Sequence, residues 1–377
     1  MKRRYDVVVI GAGLAGGAFA WALARRGQSV LVVEREARAG VHASGRNAGL
    51  VRRIEASSSV ARLSREGASL LADPPQDLAA GPLYRQTGSI LIARGPELAV
   101  WEAAAADAIE AGVEVERGPA ADLAERSGLR STDGIAFRTP RDGVADPHEV
   151  LSAFLASARA QGAEVAFEAP ARLNIQGGRV VGVELPSGEV EAEWVVNAAG
   201  PWAAELVADA GGLALDLQSY RRHLFYTGPL AGVSPNAPWI WDLERGFYLR
   251  PESSGWLLCA CDHEPRPPED TQAATDAGNR LAAKVMALAP DLVDHPIARS
   301  WAGLRTFAPD GRFVIGPDPQ LSGLFWATGL GGHGLTTSGA VGLLGARVLS
   351  GDASRAELAP FDPGRFLTAA AGVGERA

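Results

Sequence analysis

The sequence predicts an α/β fold in which a Rossmann-like unit is interleaved with a second domain, and three observations predict it. An apolar, β-branched run at residues 7–10 leads directly into G-x-G-x-x-G and a helical stretch. Junctions of the same kind, strand then glycine then helix, recur at residues 197–202 and 324–339. Between them, residues 216–300 abandon the alternation for short aromatic strands, as a separate sheet requires.

In the N-terminal unit, Val7, Val8, Val9 and Ile10 form a strand suited to burial on both faces. Gly11 permits a tight turn, Gly13 lets a pyrophosphate approach the backbone, and Gly16 allows close packing of helix on strand. Leu14 and Ala15 open a helix predicted over 14–26 and stopped by Gly27, and its N-terminal N–H groups and positive dipole end suit phosphate. A second buried strand, residues 30–33, ends on Glu34, where a carboxylate can accept from ribose hydroxyls. Strand, glycines, helix, strand and acid in this order point to a bound dinucleotide. The uncharged stretch after Lys2, Arg3 and Arg4 is not read as a secretory signal or a membrane span, because glycines interrupt it and a strand follows directly. A cytoplasmic protein is expected.

A chain of 377 residues has room for two domains. Its net charge of -8 argues against a general nucleic-acid surface. Cys259 and Cys261 are expected on opposite sides of a strand-like run, so neither a disulfide framework nor a metal site is predicted, and two thiols fit a reducing compartment.

After Arg35, the loop H-A-S-G-R-N brings Ser44, Gly45, Arg46 and Asn47 together, suiting a second phosphate contact or an ordinary polar loop. Patterning predicts helices over 60–71, 97–111 and 119–126, a strand over 84–94, and a helix that Asp146 caps and Gly162 ends. Strands at 163–167, 171–175 and 179–185 turn at Gly177-Gly178 and Ser187-Gly188, and residues 191–197 lead through N-A-A-G-P-W into a helix over 202–210. In the aromatic stretch, 221–226, 239–243, 247–250 and 256–261 read as strands, with Arg222 and Tyr248 as their informative polar residues, and 271–289 as a helix. W-A-G-L-R then precedes a turn at Pro309-Asp310-Gly311, a strand at 324–328 and a glycine-rich turn, 329–339, opening a helix to about residue 349. The expected domain pattern is 1–82, 146–215 and 301–377 for the nucleotide-binding unit, with 83–145 and 216–300 for the other.

G-x-G-x-x-G followed by H-A-S-G-R-N-A, then N-A-A-G-P-W and W-A-G-L-R, resembles the D-amino acid oxidase-type superfamily of FAD-dependent amine oxidoreductases. The resemblance covers nearly the whole chain and is strongest to bacterial D-amino acid dehydrogenases of the D-arginine dehydrogenase type. It implies an FAD-binding domain of the glutathione-reductase type, non-covalent FAD, and a substrate domain on a mixed, largely antiparallel sheet. The implied FAD contacts are Gly11, Gly13, Leu14, Ala15, Gly16, Glu34 and Arg35; Ser44, Gly45, Arg46, Asn47, Ala48 and Gly49; and Ala171, Ala199, Gly200 and Trp202. Gly303, Arg305, Gly331, Gly332, His333, Gly334, Leu335 and Thr336 complete them. Arg305, Arg222 and Tyr248 are implied to hold a substrate carboxylate, with Arg52 and Gly332 also lining the substrate site.

The implied activity is oxidative deamination of a small amino acid, most of all a D-amino acid, to the 2-oxo acid and ammonia, with the α-hydrogen leaving as hydride to flavin N5. His333 is the candidate base, with a structural role beside the cofactor as its alternative. The family's histidine near the amine and its lid tyrosine have no counterparts, since Leu50 and Glu55 occupy those places, and Gln86-Thr87-Gly88 supplies no glutamate for a cationic side chain. With Arg52 and Arg53 nearby, a neutral or acidic side chain is expected. Glycine or sarcosine oxidation, 2-hydroxy acid oxidation and a flavin-binding subunit that needs a partner stay open. So does the electron acceptor: quinone, oxygen or a carrier protein.

Overall fold

Two sheets, each assembled from segments far apart in sequence, organise the chain in the computed structural model, which describes residues 3–124 and 133–367. The end of the short helix expected over 119–126 lies outside the described residues; its described part is Ala120–Ala124. In the first sheet the strands lie in the order Val314–Pro317, Leu324–Thr328, Gly188–Asn197, Arg4–Ile10, Val30–Val33 and Glu164–Ala166. All neighbours from Leu324–Thr328 onward pair in parallel. Val8, Val9 and Val30 to Val32 are fully buried because helices cover one face and a hairpin layer the other. That hairpin, Arg172–Gln176 with Arg179–Leu185, turns on Gly177 and Gly178, both with positive φ, as a two-residue turn between twisted strands needs.

Leu14–Ala24 packs against Gly334–Leu349 and Pro147–Ala160, while Ser58–Ala72 covers Gly334–Leu349. Asp146 caps its helix as expected, accepting from His148 N at 2.8 Å. The helices are close because small residues face each other: a Cβ on Gly342 would lie 2.5 Å from Ala18 O, and one on Gly345 2.1 Å from the Phe19 ring.

The second sheet runs Glu264–Arg266, Gln218–Tyr226, Gly255–Cys259, Phe247–Glu252, Trp239–Asp242, Ser89–Ala93, Ile135–Thr139 and Glu116–Pro119, with Arg299–Phe307 along the other edge of Gln218–Tyr226. Only Trp239–Asp242 with Ser89–Ala93 is parallel, so the sheet is mixed and largely antiparallel. The boundary expected at residue 300 falls inside Arg299–Phe307, whose register with Gln218–Tyr226 extends to Phe307.

Three local expectations are corrected. Residues 202–210 are not an α-helix but two 3₁₀ turns, Gly200–Trp202 and Glu205–Val207, and Asn197 Nδ2 donates to Ala203 O at 2.8 Å, taking a carbonyl that a continuous helix would use. The helix expected over 271–289 begins only at Ala277, because Thr271 O accepts from Arg46 and Ala274 N donates to His223 Nε2. Cys259 and Cys261 do not face opposite sides. Residues two apart along a strand share a face, and Cys261, past the strand end with φ of +50°, donates its N–H back to Cys259 Sγ at 3.3 Å.

Candidate active site

A cavity of about 1140 Å³ lies between the two sheets and is lined by residues from both. Its size exceeds the usual 300–1,000 Å³ of a single small-ligand pocket, which suits a dinucleotide plus a small substrate.

One end is the glycine turn. Gly11 has φ of +105°, and a Cβ there would lie 2.5 Å from Ala198 O. A Cβ on Gly13 would lie 2.9 Å from Ser44 Oγ, which accepts from Leu14 N at 2.9 Å. Glu34 braces the turn, accepting from Ala12 N at 2.8 Å and from Glu36 N at 3.0 Å. Carboxylate, bare glycine backbone and helix N-terminus thus meet at one wall of the cavity, a donor set that fits ribose and pyrophosphate. Arg35 lies over the Trp202 ring at 3.7 Å, and His42, missed in the sequence, packs tilted against the same ring at 4.6 Å.

The expected cofactor residues divide. Gly11, Gly13, Leu14, Ala15, Glu34, Arg35, Ser44, Arg46, Asn47 and Ala48 line the cavity, as do Ala171, Ala199, Gly200, Trp202, Gly303, Arg305, Gly331, Gly332, His333, Gly334 and Thr336. Gly16, Gly45, Gly49 and Leu335 stand behind its wall; a Cβ on the three glycines would lie 1.8, 2.3 and 2.5 Å from Gly11 O, Gly40 O and Ala145 O. The Arg46 guanidinium differs most from expectation. It pairs with Asp270 and donates to Val41 O, Thr271 O and Ala302 O, so it ties the loop to the second sheet instead of pointing to a phosphate.

At the other end, sheet register gathers three expected substrate residues. Arg222 pairs with Gly303 and Tyr220 with Arg305, so Arg222 and Arg305 project from the same face of adjacent strands. Tyr248, opposite Trp241 and Cys259, adds its phenol from the same sheet. Arg221, the competing arginine, faces away and binds Glu264 at 2.7 Å. Arg222 donates to the carbonyls of Asp262 (2.9 Å) and Cys261 (3.1 Å), and Arg305 Nη2 contacts His263 Nδ1 at 3.1 Å.

Among the described residues neither arginine makes an ion pair with a carboxylate. The nearest acid, Asp262, holds His223 Nδ1 at 2.6 Å. Burial, reinforced by the neighbouring Arg222, pulls the Arg305 guanidinium down to about 10, still cationic at neutral pH. Two facing guanidiniums without an acid are an anion site.

Arg52 and His333 form a separate cluster with Glu55. Arg52 Nε donates to Glu55 Oε1 at 2.9 Å, and His333 Nε2 lies 3.1 Å from Glu55 Oε2. Burial alone would raise the Glu55 carboxyl; Arg52 and His333 override it and hold it at about 2. Trp241 and Trp101 flank the Arg52 guanidinium at 5.0 and 5.8 Å. Arg53 turns away to Asp142 and Tyr84. Glu55, Trp101, Trp241 and His263 had not been assigned to the site. A strand pattern could have placed Trp241 beside Tyr248, but nothing local in the sequence brings Glu55 to His333, 278 residues away.

A family model described as FAD dependent oxidoreductase matches residues 6–348. The chain belongs to that family, and its cofactor is FAD. Over 97% of this chain and 98% of the relative, it is 28% identical to a glycine oxidase of Geobacillus kaustophilus (strain HTA426). It is 26% identical to the 4-methylaminobutanoate oxidase (formaldehyde-forming) of Paenarthrobacter nicotinovorans over 89% of this chain, spanning 42% of that longer protein. The crystal structure of L-proline dehydrogenase from P. horikoshii superposes with a TM-score of 0.87 over 98% of this chain and 99% of that one, at 23% identity, which shows a shared fold. The particular likeness to D-arginine dehydrogenases is not borne out by these relatives; the superfamily is. The chain is thus an FAD-dependent oxidoreductase by family. No helix among the described residues is long and apolar enough to cross a membrane.

Proposed function

We propose that the protein oxidises the α-carbon–nitrogen bond of a small D-amino acid to the imine, gripping its carboxylate between Arg222, Arg305 and Tyr248, and that water then hydrolyses the imine to a 2-oxo acid and ammonia. The observation that carries this reading is the pair of arginines facing one cavity without a carboxylate partner, beside a buried phenol. FAD, when bound non-covalently along the glycine turn, supplies the two-electron acceptor. Arg222 and Arg305 fix one end of the substrate, so that the α-hydrogen has a defined direction of departure. His333 is poorly suited as the base, since its Nε2 is engaged by Glu55 and its Nδ1 is enclosed without a partner.

Because Glu55 already balances the Arg52 charge and two indoles flank it, a neutral substrate side chain is favoured over an acidic one. Arg52→Ala then raises KM similarly for neutral and acidic substrates; a rise confined to acidic ones overturns the preference. The relatives favour a second reading, glycine or an N-alkylated amine as substrate. Anaerobic bleaching of the purified yellow protein separates the two. D-amino acids should bleach it faster than their L-enantiomers, glycine or N-methylglycine, and faster bleaching by either of the last two gives the second reading.

A further inference from the structure

Along one edge of Gln218–Tyr226 the ladder is interrupted where the clamp begins. Pairing with Gly255–Cys259 ends at Phe225–Leu258, and pairing with Glu264–Arg266 starts at Arg221–Glu264. Arg222, His223 and Leu224 therefore lie opposite a longer run, Cys259 to His263, which bulges out of the sheet and includes Cys261 with φ of +50°. Two carbonyls of the bulge accept from Arg222: Asp262 O from Nε at 2.9 Å and Cys261 O from Nη2 at 3.1 Å. They fix one edge of the guanidinium and leave its Nη1–Nη2 end for a carboxylate. His263, next in the chain, meets Arg305 Nη2 at 3.1 Å and stacks on Tyr220 at 3.6 Å. One buried residue holds this bulge. His223 follows Arg222 on the strand and so projects from the other face, where it is 1% exposed. Its backbone N–H, left over by the interrupted ladder, donates to Asp262 Oδ1 at 3.0 Å, and its Nδ1 lies 2.6 Å from Asp262 Oδ2. Nε2 accepts the Ala274 N–H at 2.9 Å, so the ring proton sits on Nδ1 and is donated to the carboxylate. Burial raises the Asp262 carboxyl, but the bonds from His223 outweigh it and hold it below its ordinary value.

We propose that Asp262, locked by His223, is a positioning residue for carboxylate recognition: the pair pins the bulge of residues 261–263, and the bulge aims Arg222 and steadies Arg305. The inference rests on the clamp reading above. An unpinned bulge would release the two carbonyls and let the Arg222 side chain sample other rotamers, freedom that an arriving substrate would then have to remove. A guanidinium already held along one edge is preorganised for a two-point grip. The pair also settles where the acid goes. Two bonds from His223 keep the Asp262 carboxylate from closing on Arg222 itself, so only its carbonyl meets the guanidinium and the cation stays available to the substrate.

The test uses the flavin-loaded protein and acetate as the probe, with binding followed by the change in flavin absorbance. Asp262→Ala should raise the acetate Kd about tenfold with flavin retained. If that variant does not fold, Asp262→Asn, which keeps one acceptor for His223, takes its place with a smaller rise. His223→Asn, which keeps a donor toward Asp262, should bind within about threefold of wild type, whereas His223→Leu should match Asp262→Ala. The decisive readout is a double-mutant cycle: in an Arg222→Ala background, itself weaker for acetate, adding Asp262→Ala should cost no more than about twofold. An equal further loss in that background, or wild-type affinity in both Asp262→Ala and His223→Leu, overturns the proposal. Acetate affinity unchanged in Arg222→Ala, or no acetate binding by wild type, shows instead that the clamp reading has failed, and the positioning role falls with it.

Discussion

At the scale of single residues, the site is governed by which charges lack partners. Arg221 and Arg222 are neighbours in sequence, yet one binds Glu264 at 2.7 Å and the other faces the cavity with only carbonyls as acceptors. Replacing Arg305 with Ala should lower kcat/KM by about 10²- to 10³-fold, equivalent to roughly 3–4 kcal/mol, with bound flavin retained. Arg305→Lys should recover little, because a point charge does not reproduce the guanidinium fork. Steady-state kinetics with flavin content measured in parallel checks both; full activity of the lysine variant would argue against a bidentate grip.

Glu55 makes a separate prediction. Its folded-state carboxyl is held at about 2 against an ordinary 4.5, so its contribution is fully present above the unfolded value and is lost as pH falls from about 4.5 toward 2. The shift corresponds to about 3 kcal/mol. Denaturant unfolding across that range should show a loss of stability in wild type that Glu55→Gln lacks; parallel curves would mean that Arg52 and His333 do not set this carboxyl.

Among the elements, the helix crossing behind the glycine turn leaves no room for a larger residue. A methyl group on Gly342 would meet the Ala18 carbonyl carbon and oxygen at 2.6 and 2.5 Å, backbone atoms that a rotamer change cannot move. Gly342→Ala should therefore lower stability by about 1–3 kcal/mol and weaken flavin retention, since the displaced helix carries the turn at Gly11 and Gly13. Thermal unfolding with and without added FAD reads both effects. Most elements here were legible: β-branched runs marked the parallel strands, glycine turns marked the hairpins, and Asp146-Pro147 marked a helix start. The helix expected over 202–210 and the first turns of the one expected over 271–289 carry helical composition, and distant partners overrode it: Asn197 takes one carbonyl, while Arg46 and His223 engage the residues ahead of Ala277. Local sequence does not contain that information.

For the whole molecule, the two sheets are joined through the cavity wall, and Arg46 bridges them. Arg46→Ala should loosen the junction, seen as faster FAD release and earlier proteolysis near residues 270–276; unchanged rates would show that the packed sheets hold without it. The grouping of Arg222, Tyr248 and Arg305 was expected from the family resemblance, and they lie on strands whose pattern could be read. The Arg52–Glu55–His333 cluster and the His223–Asp262 pair were not expected, because they depend on tertiary contacts and on a turn after Cys259 that breaks the strand.

The central claim is that the enzyme recognises the carboxylate of an amine it oxidises. The most direct measurement is anaerobic bleaching of the bound flavin by matched pairs of amines with and without that carboxylate: D-alanine against ethylamine, glycine against methylamine. The account predicts bleaching by the carboxylated members alone, and its loss in Arg222→Ala and Arg305→Ala proteins that still hold FAD. Equal bleaching by the simple amines, or full bleaching in both variants, would contradict it.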